Sequence, residues 1–175
     1  KAALVAAPLT AITTDQTLMA YAEPAGASVF RTNCATCHGS GAAGVEGKGY
    51  PSLLDDDWLW GGTIEDIHLT IAHGIRNTTD PDARYSQMPA FGVDELLEPG
   101  QIDAVVEHVL SISGQEHDAT LATEGATVFA ENCAACHGED AKGIKDMGAP
   151  NLADAIWLKV DGEAQIAAQP TVMKR

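Results

Sequence analysis

Cys34-Ala35-Thr36-Cys37-His38 is the stretch that decides the fold, because it carries the pattern C-x-x-C-H. Two thiols three positions apart can reach both vinyl groups of one porphyrin, and the adjacent histidine can then bind the iron. A thioredoxin-like redox pair, a disulfide or half of a zinc site would also use two such cysteines. Each of these alternatives leaves the histidine unexplained. The stretch therefore predicts a covalently attached c-type haem, tethered by Cys34 and Cys37 and ligated on its proximal side by His38.

The same pattern returns as Cys133-Ala134-Ala135-Cys136-His137, so the two motifs use all four cysteines of the chain. The second motif predicts a second haem c, held by Cys133 and Cys136 and ligated by His137. Flanking pairs repeat in the same register, namely Val29-Phe30 with Val128-Phe129 and Trp58-Leu59 with Trp157-Leu158. Self-similarity at a fixed spacing is the signature of a structural repeat. The chain therefore contains two copies of one module.

The 175 residues leave each module near the lower end of independently folding domains. A small core suffices in such a module because a buried porphyrin supplies apolar surface. The residues from Gln115 to Leu121 are polar and lack periodicity, which favours a linker there. We therefore expect a lead segment at 1–22, a first domain at 23–114, a linker at 115–122 and a second domain at 123–175.

Helical signals dominate the chain, and strand signals are nearly absent. Apolar residues between Ile102 and Ile112 follow helical spacing, so a helix is predicted to begin at Pro99 and to end before Gly114. Two more helices, at 28–36 and 123–135, are predicted to lead into the motifs. The sequence therefore predicts an all-α fold of two tandem domains, each with a few short helices around its haem.

An electron-transfer haem needs a second axial ligand, and a methionine thioether raises its potential. For the first haem the candidate is Met88, which lies well downstream of the first motif and directly before Pro89. Filling of the core is the alternative role for a methionine. His68 and His73 compete for the iron, and His73 could instead contact a propionate or lie on the surface. We expect Met88 to be the distal ligand of the first haem, with His73 as the next candidate.

Pro51 follows His38 by the same distance as Pro150 follows His137. A backbone carbonyl at each proline could accept a hydrogen bond from the histidine Nδ1–H, which orients the imidazole and raises its basicity. The alternative is that each proline only forms a turn. The matched spacing favours the shared role.

The formal net charge of −15 excludes nucleic acid as a natural partner and favours basic proteins. Solubility alone is the alternative explanation of this charge. No stretch approaches the roughly 20 apolar residues that span a bilayer, and the apolar residues from Ala2 to Ile12 are interrupted by Pro8. Membrane association would therefore depend on an N-terminal anchor outside this sequence or on partner subunits.

Longer stretches of the chain resemble one family. They are Asn33 to Gly39, Gly49 to Gly62, His73 to Arg76 and Met88 to Gly92. These stretches closely resemble the di-haem subunit, subunit III, of cbb(3)-type haem-copper cytochrome c oxidases, and the second half is similar from Cys133 to Leu158. The run Asp55-Asp56-Asp57-Trp58-Leu59-Trp60 is far more discriminating than C-x-x-C-H, which every c-type cytochrome shares.

The resemblance implies two cytochrome c folds at the periplasmic face of a bacterial inner membrane, each haem having histidine and methionine ligands. It also implies a one-electron relay in aerobic respiration. Electrons would pass from a basic periplasmic cytochrome c to the catalytic and mono-haem subunits of an oxygen-reducing oxidase, so the chain would be no enzyme on its own. A free soluble di-haem carrier and a di-haem peroxidase are the alternatives from other classes.

The second module departs from the family pattern after Leu158. Met173 follows Ile166 much more closely than Met88 follows Ile67, and the family would continue with a longer segment and a closing helix. We expect Met173 to be the distal ligand of the second haem, with Met147 as the alternative. The second domain is accordingly expected to be incomplete at its C-terminal end.

Overall fold

The computed structural model describes residues 1–45, 47–154 and 156–158. Within these ranges the chain is helical, and its β-type pairings are two isolated bridges, Val45 with Tyr50 and Ile75 with Arg84. The helices in chain order are α1 (Ala2–Ala6), α2 (Leu9–Ile12), α3 (Gln16–Asn33), α4 (Ala35–His38), α5 (Ile64–His73), α6 (Pro99–Ile112), α7 (Ala119–Asn132) and α8 (Ala134–His137), and a short 3-10 helix follows at Lys145–Met147. The predicted all-α fold is confirmed.

The helices α3 and α7, which lead into the two motifs, begin earlier than the sequence predicted. Asp15 caps α3 because its carboxylate accepts hydrogen bonds from the first backbone N–H groups of the helix, and Asp118 caps α7 in the same way. The predicted starts at 28 and 123 were wrong because Pro24 lies inside α3 and because the polar residues before Thr123 supply a cap. As a result, α3 runs across position 22, and α7 begins inside the expected linker.

The helix predicted from Pro99 is confirmed as α6. Proline at the first helical position has no N–H group to leave unpaired, and the backbone N–H of Glu98 donates to the side chain of Gln101 at 2.9 Å. Gly114, just beyond the end of the helix, has a φ of 75°, which glycine adopts without steric cost. The local signals at both ends of this helix therefore agree with its observed bounds.

The hydrophobic core lies between α6 and α7. Val109 is its most deeply buried member, with 1% of its surface exposed. The two helices cross closely at Gly125, where an added Cβ would collide with the carbonyl oxygen of Ala104. The core consists of Leu97, Ile102, Val105, Val106, Val109, Leu110, Val128, Phe129, Ala141 and Leu152. It therefore spans the expected linker at 115–122 and joins the last helix of the expected first domain to the second motif.

Residues of α3 are much more exposed than the residues of α7 that occupy the same positions in the repeat. Val128 is 8% exposed, whereas its counterpart Val29 is 60% exposed. A Cβ at Gly125 would collide with α6, but a Cβ at Gly26, the matching position in α3, would meet nothing within 4 Å. Among the described residues, α6 thus covers the helix of the second motif, although in sequence it follows the first.

Candidate haem-binding sites

Each C-x-x-C-H motif forms one short helical turn. α4 carries Cys37 and His38, α8 carries Cys136 and His137, and the first cysteine of each motif is the residue just before its turn. None of the four cysteines forms a disulfide. Each turn is followed by a glycine with a φ of about 80° that turns the chain away. The two thiols and the imidazole of each motif are therefore presented together, as covalent haem attachment requires.

Both motif histidines are oriented by a proline carbonyl. The Nδ1 of His38 lies 3.0 Å from the carbonyl oxygen of Pro51, and the Nδ1 of His137 lies 3.0 Å from that of Pro150. Because a carbonyl oxygen can only accept, Nδ1 carries the proton in both rings. The Nε2 atoms are left as the basic nitrogens available to a metal.

The second motif lies in a more buried environment than the first. His137 is 7% exposed, and burial lowers its pKa, although the Pro150 hydrogen bond opposes this shift. Burial, together with the neighbouring Cys136, raises the pKa of the Cys133 thiol to about 11. At neutral pH the site therefore presents a neutral imidazole, which is the form that binds iron.

A cavity lies directly against the second motif. The surrounding side chains are apolar except for the imidazole and thiol of the motif itself. The cavity is lined by Met88, Phe91, Leu97, Ile102, Val105, Val109, Phe129, Cys133, His137 and Leu152. An apolar cavity containing a cysteine, a neutral histidine and a thioether fits the requirements of a c-type haem.

Met88, which the sequence assigns to the first haem, lines this cavity beside the second motif, and 52% of its surface is exposed. The segment that follows it turns back on itself, with the N–H groups of Leu96 and Leu97 donating to the carbonyl of Phe91. α6 then packs on α7 and carries this segment to the second motif. Met88 and His38 belong to the same repeat, which is why sequence order assigns Met88 to the first haem, and that assignment stays a prediction.

The indole of Trp157 supplies an independent test of the fit to haem. Its Nε1 is buried and has no hydrogen-bond partner in the part of the chain that the structure describes. The ring packs against the core that lines the cavity. A buried N–H group without an acceptor costs free energy, and a haem carboxylate would provide that acceptor. The sequence identified Trp157 only as part of the repeat, and its role depends on the burial of Nε1.

The first motif is half-buried, and its histidine has an aromatic neighbour at a position where the second module has alanine. Tyr50 lies edge-on to His38, with 6.1 Å between the ring centroids. A hydrogen bond with Cys37 raises the pKa of the Tyr50 hydroxyl. The matching residue of the second module is Ala149. The environments of the two proximal histidines therefore differ.

The remaining candidate ligands lie elsewhere. His73 pairs through Nδ1 with a carboxylate oxygen of Asp80 at 3.0 Å, and His68 is exposed. Met147, the alternative ligand of the second haem, lies in the 3-10 helix and does not line the cavity. Met173 falls outside the described residues. Along the described part of the chain, no helix has both the length and the apolar character needed to cross a membrane.

Comparison with known proteins bears on both modules. Residues 22–109 match the family described as cytochrome c oxidase, cbb3-type, subunit III, and residues 122–171 match the cytochrome c family. Similar proteins include the cbb3-type cytochrome c oxidase subunits CcoP of Cereibacter sphaeroides, 68% identical over 155 residues, and of Rhodobacter capsulatus, 60% identical over 156 residues. The FixP subunit of Sinorhizobium medicae is 54% identical over 152 residues.

These alignments cover 87–89% of this chain but only 51–53% of the relatives. The chain thus spans about half the length of the curated relatives it matches. The matched family extends over the first motif, the tryptophan-containing run, Met88 and most of α6. The chain therefore belongs to the family of subunit III of cbb3-type cytochrome c oxidases.

Proposed function

We propose that this chain is a one-electron relay that carries two covalently bound haem c groups and delivers electrons to the oxygen-reducing core of a cbb3-type oxidase. The observation that carries the proposal is the pair of C-x-x-C-H turns, each with its histidine held by a proline carbonyl. Family membership supports the destination of the electrons. On this proposal the chain is an electron-transfer subunit and performs no catalysis on its own.

Each bound haem would supply a one-electron Fe(III)/Fe(II) couple, and the protein controls its surroundings. His137 offers Nε2 because Pro150 holds the proton on Nδ1. The apolar side chains of α6 and α7 exclude water, which disfavours the more highly charged oxidised iron and raises the potential. The donor set of imidazole and thioether acts in the same direction.

For the second iron we propose His137 and Met88 as the axial pair, which revises the assignment expected from sequence order. The shared cavity supports this pairing. The distal ligand of the first iron would then be another residue, and Met173, which the sequence assigns to the second iron, lies outside the described residues and stays a prediction. The carbonyl of Leu158, the last described residue, accepts a hydrogen bond from the N–H of Gly49 at 2.7 Å. The chain therefore leaves its described part beside the loop of the first motif.

Single-haem variants test this assignment. In a Cys34→Ala/Cys37→Ala protein, which keeps the second motif, Met88→Ala should abolish the weak near-infrared sulfur-to-iron band of the oxidised form. In a Cys133→Ala/Cys136→Ala protein, the same Met88→Ala change should leave that band intact. Met19→Ala provides a control, since Met19 lies in α3 outside the cavity. If Met88→Ala instead abolished the band only in the Cys133→Ala/Cys136→Ala protein, Met88 would be the ligand of the first haem.

The partners belong to the proposal as well. We propose catalytic and mono-haem oxidase subunits as electron acceptors and a basic periplasmic cytochrome c as the donor, with the complex at the periplasmic face of a bacterial inner membrane. Co-purification of the chain from detergent-solubilised membranes with haem b and copper would support this complex. A chain found free of membranes would favour the soluble carrier, and rapid peroxide turnover by the isolated chain would favour the peroxidase.

A further inference from the structure

Apart from the packing of α6 on α7, two close contacts among the described residues join the loops that follow the two motifs. The N–H of Gly49 donates to the carbonyl of Leu158 at 2.7 Å. Gly148 lies so close to Trp60 that an added Cβ would collide with the indole ring. Gly49 and Gly148 are counterparts in the repeat, and Leu158 is the counterpart of Leu59, the neighbour of Trp60. A glycine at the same repeat position of each module thus takes part in the junction, and each meets a residue at or next to the matched Trp-Leu pair of the other module.

This junction lies beside both proximal histidines. Gly49 and Gly148 stand two positions before Pro51 and Pro150, whose carbonyl oxygens hold the histidine Nδ1–H groups. The residues that form the contact between the modules are thus only two positions away from the residues that orient each iron ligand. A displacement at the junction would alter the spacing between the two haem sites.

Trp60 is held firmly on its own module. Arg84 donates a hydrogen bond to the carbonyl oxygen of Trp60, and its guanidinium lies 5.8 Å from the centroid of the indole. Asp66 pairs with the same guanidinium at 2.7 Å, and the Arg84 side chain is only 13% exposed. The indole of Trp60 therefore contacts Arg84 of its own module and Gly148 of the other.

One carboxylate beside the junction is partly shielded from water. Burial raises the pKa of Asp57, and Asp154 of the other module adds to the shift, while Lys145 opposes it. A carboxylate responds in this way where solvent is partly excluded.

We propose that Trp60, locked by Arg84 and seated on Gly148, is the positioning residue that fixes the two modules so that an electron passes directly between their haems. This inference rests on the proposed function, since it requires both haems. The transfer oxidises one ferrous haem and reduces the other, ferric haem, with no bond made or broken and no proton moved.

The decisive variant is Gly148→Ala in the full chain with both haems attached. Its Cβ would displace the indole of Trp60, so light-triggered electron exchange between the haems should slow. The Gly49 amide should lose its protection from hydrogen exchange, and the absorption spectrum of each haem should stay unchanged. Gly148 has a φ of 58°, so backbone strain needs its own control. Gly114→Ala serves as that control because Gly114 has a φ of 75° and nothing within 4 Å.

The proposal would be overturned if the Gly49 amide of Gly148→Ala lost its protection from hydrogen exchange while the rate of electron transfer between the haems stayed unchanged. A rate lowered equally in Gly114→Ala would also overturn it, because strain alone would then suffice. If Gly148→Ala fails to fold, Trp60→Phe replaces it, since this variant shrinks the ring and keeps the carbonyl that Arg84 binds. A normal rate in Trp60→Phe would contradict the proposal. A wild-type chain that carries fewer than two haems would instead refute the proposed function, as its haem-to-protein ratio would reveal.

Discussion

Met88 lines the same cavity as His137, although in sequence it belongs to the repeat that contains His38. The path between these two residues runs through α6, whose apolar face packs on α7. An internal repeat thus does not imply two self-contained pockets. The described part of the second pocket is completed by residues that precede the second motif, from Met88 to Val109.

The attachment chemistry leads to a first prediction. Thioether bonds survive denaturation, whereas a haem held only by iron ligands does not. The acid-acetone-treated protein should therefore keep two haems per chain, and Cys133→Ala/Cys136→Ala should keep one, as measured by haem absorbance against protein mass. Extraction of either haem from the unmodified chain would contradict covalent attachment at that motif.

The crossing of α6 and α7 leads to a second prediction. Gly125→Ala places a methyl group against the carbonyl of Ala104 and should lower the free energy of unfolding by about 1–3 kcal/mol. Its repeat counterpart provides a matched control. Gly26→Ala meets open space in α3 and should raise the free energy by about 0.5–1 kcal/mol, because alanine favours a helix over glycine. Urea denaturation measures both values, and equal effects would argue against the described packing.

A third prediction concerns acid stability. Hydrogen bonds from Thr63 and Arg84 lower the pKa of Asp66 below its ordinary value of 3.8. A carboxylate with a lowered folded-state pKa stabilises the fold above its unfolded-state pKa, and this contribution is lost as the pH falls through the folded-state value. Stability should therefore drop below about pH 4, and Asp66→Asn should flatten that drop. Glu65→Gln, which changes an exposed neighbouring carboxylate, is the control. If Asp66→Asn lost stability in acid in the same way as the unmodified protein, the assignment would be refuted.

The net charge of −15 leads to a fourth prediction. If the carboxylates form a docking surface, electron transfer from a basic cytochrome c should slow steeply as ionic strength rises toward 0.1 M, where the Debye length is about 10 Å. Stopped-flow absorbance measures this rate. Reduction by a small uncharged reagent should be nearly independent of salt. If the rate of electron transfer from the basic donor did not depend on ionic strength, the charge would serve solubility alone.

The sequence by itself determined the features that depend on local chemistry. The spacing of Cys34, Cys37 and His38, and its repetition, specified haem attachment because the reacting atoms lie on one helical turn. The apolar spacing and end signals of α6 placed that helix correctly, since Pro99 and Gly114 act within their own neighbourhood. The matched prolines also led to the observed histidine hydrogen bonds.

Only the tertiary structure decided how the two repeats share their parts. The choice of His137 over His38 as the neighbour of Met88 depends on the packing of α6 against α7, and no short-range pattern encodes it. The burial of the Trp157 Nε1, which has no hydrogen-bond partner among the described residues, and the close approach of Gly148 to Trp60 likewise arise only once distant segments meet. The physical reason is that hydrophobic burial is non-directional, so a repeated apolar pattern specifies that a helix packs but leaves its partner to the whole fold.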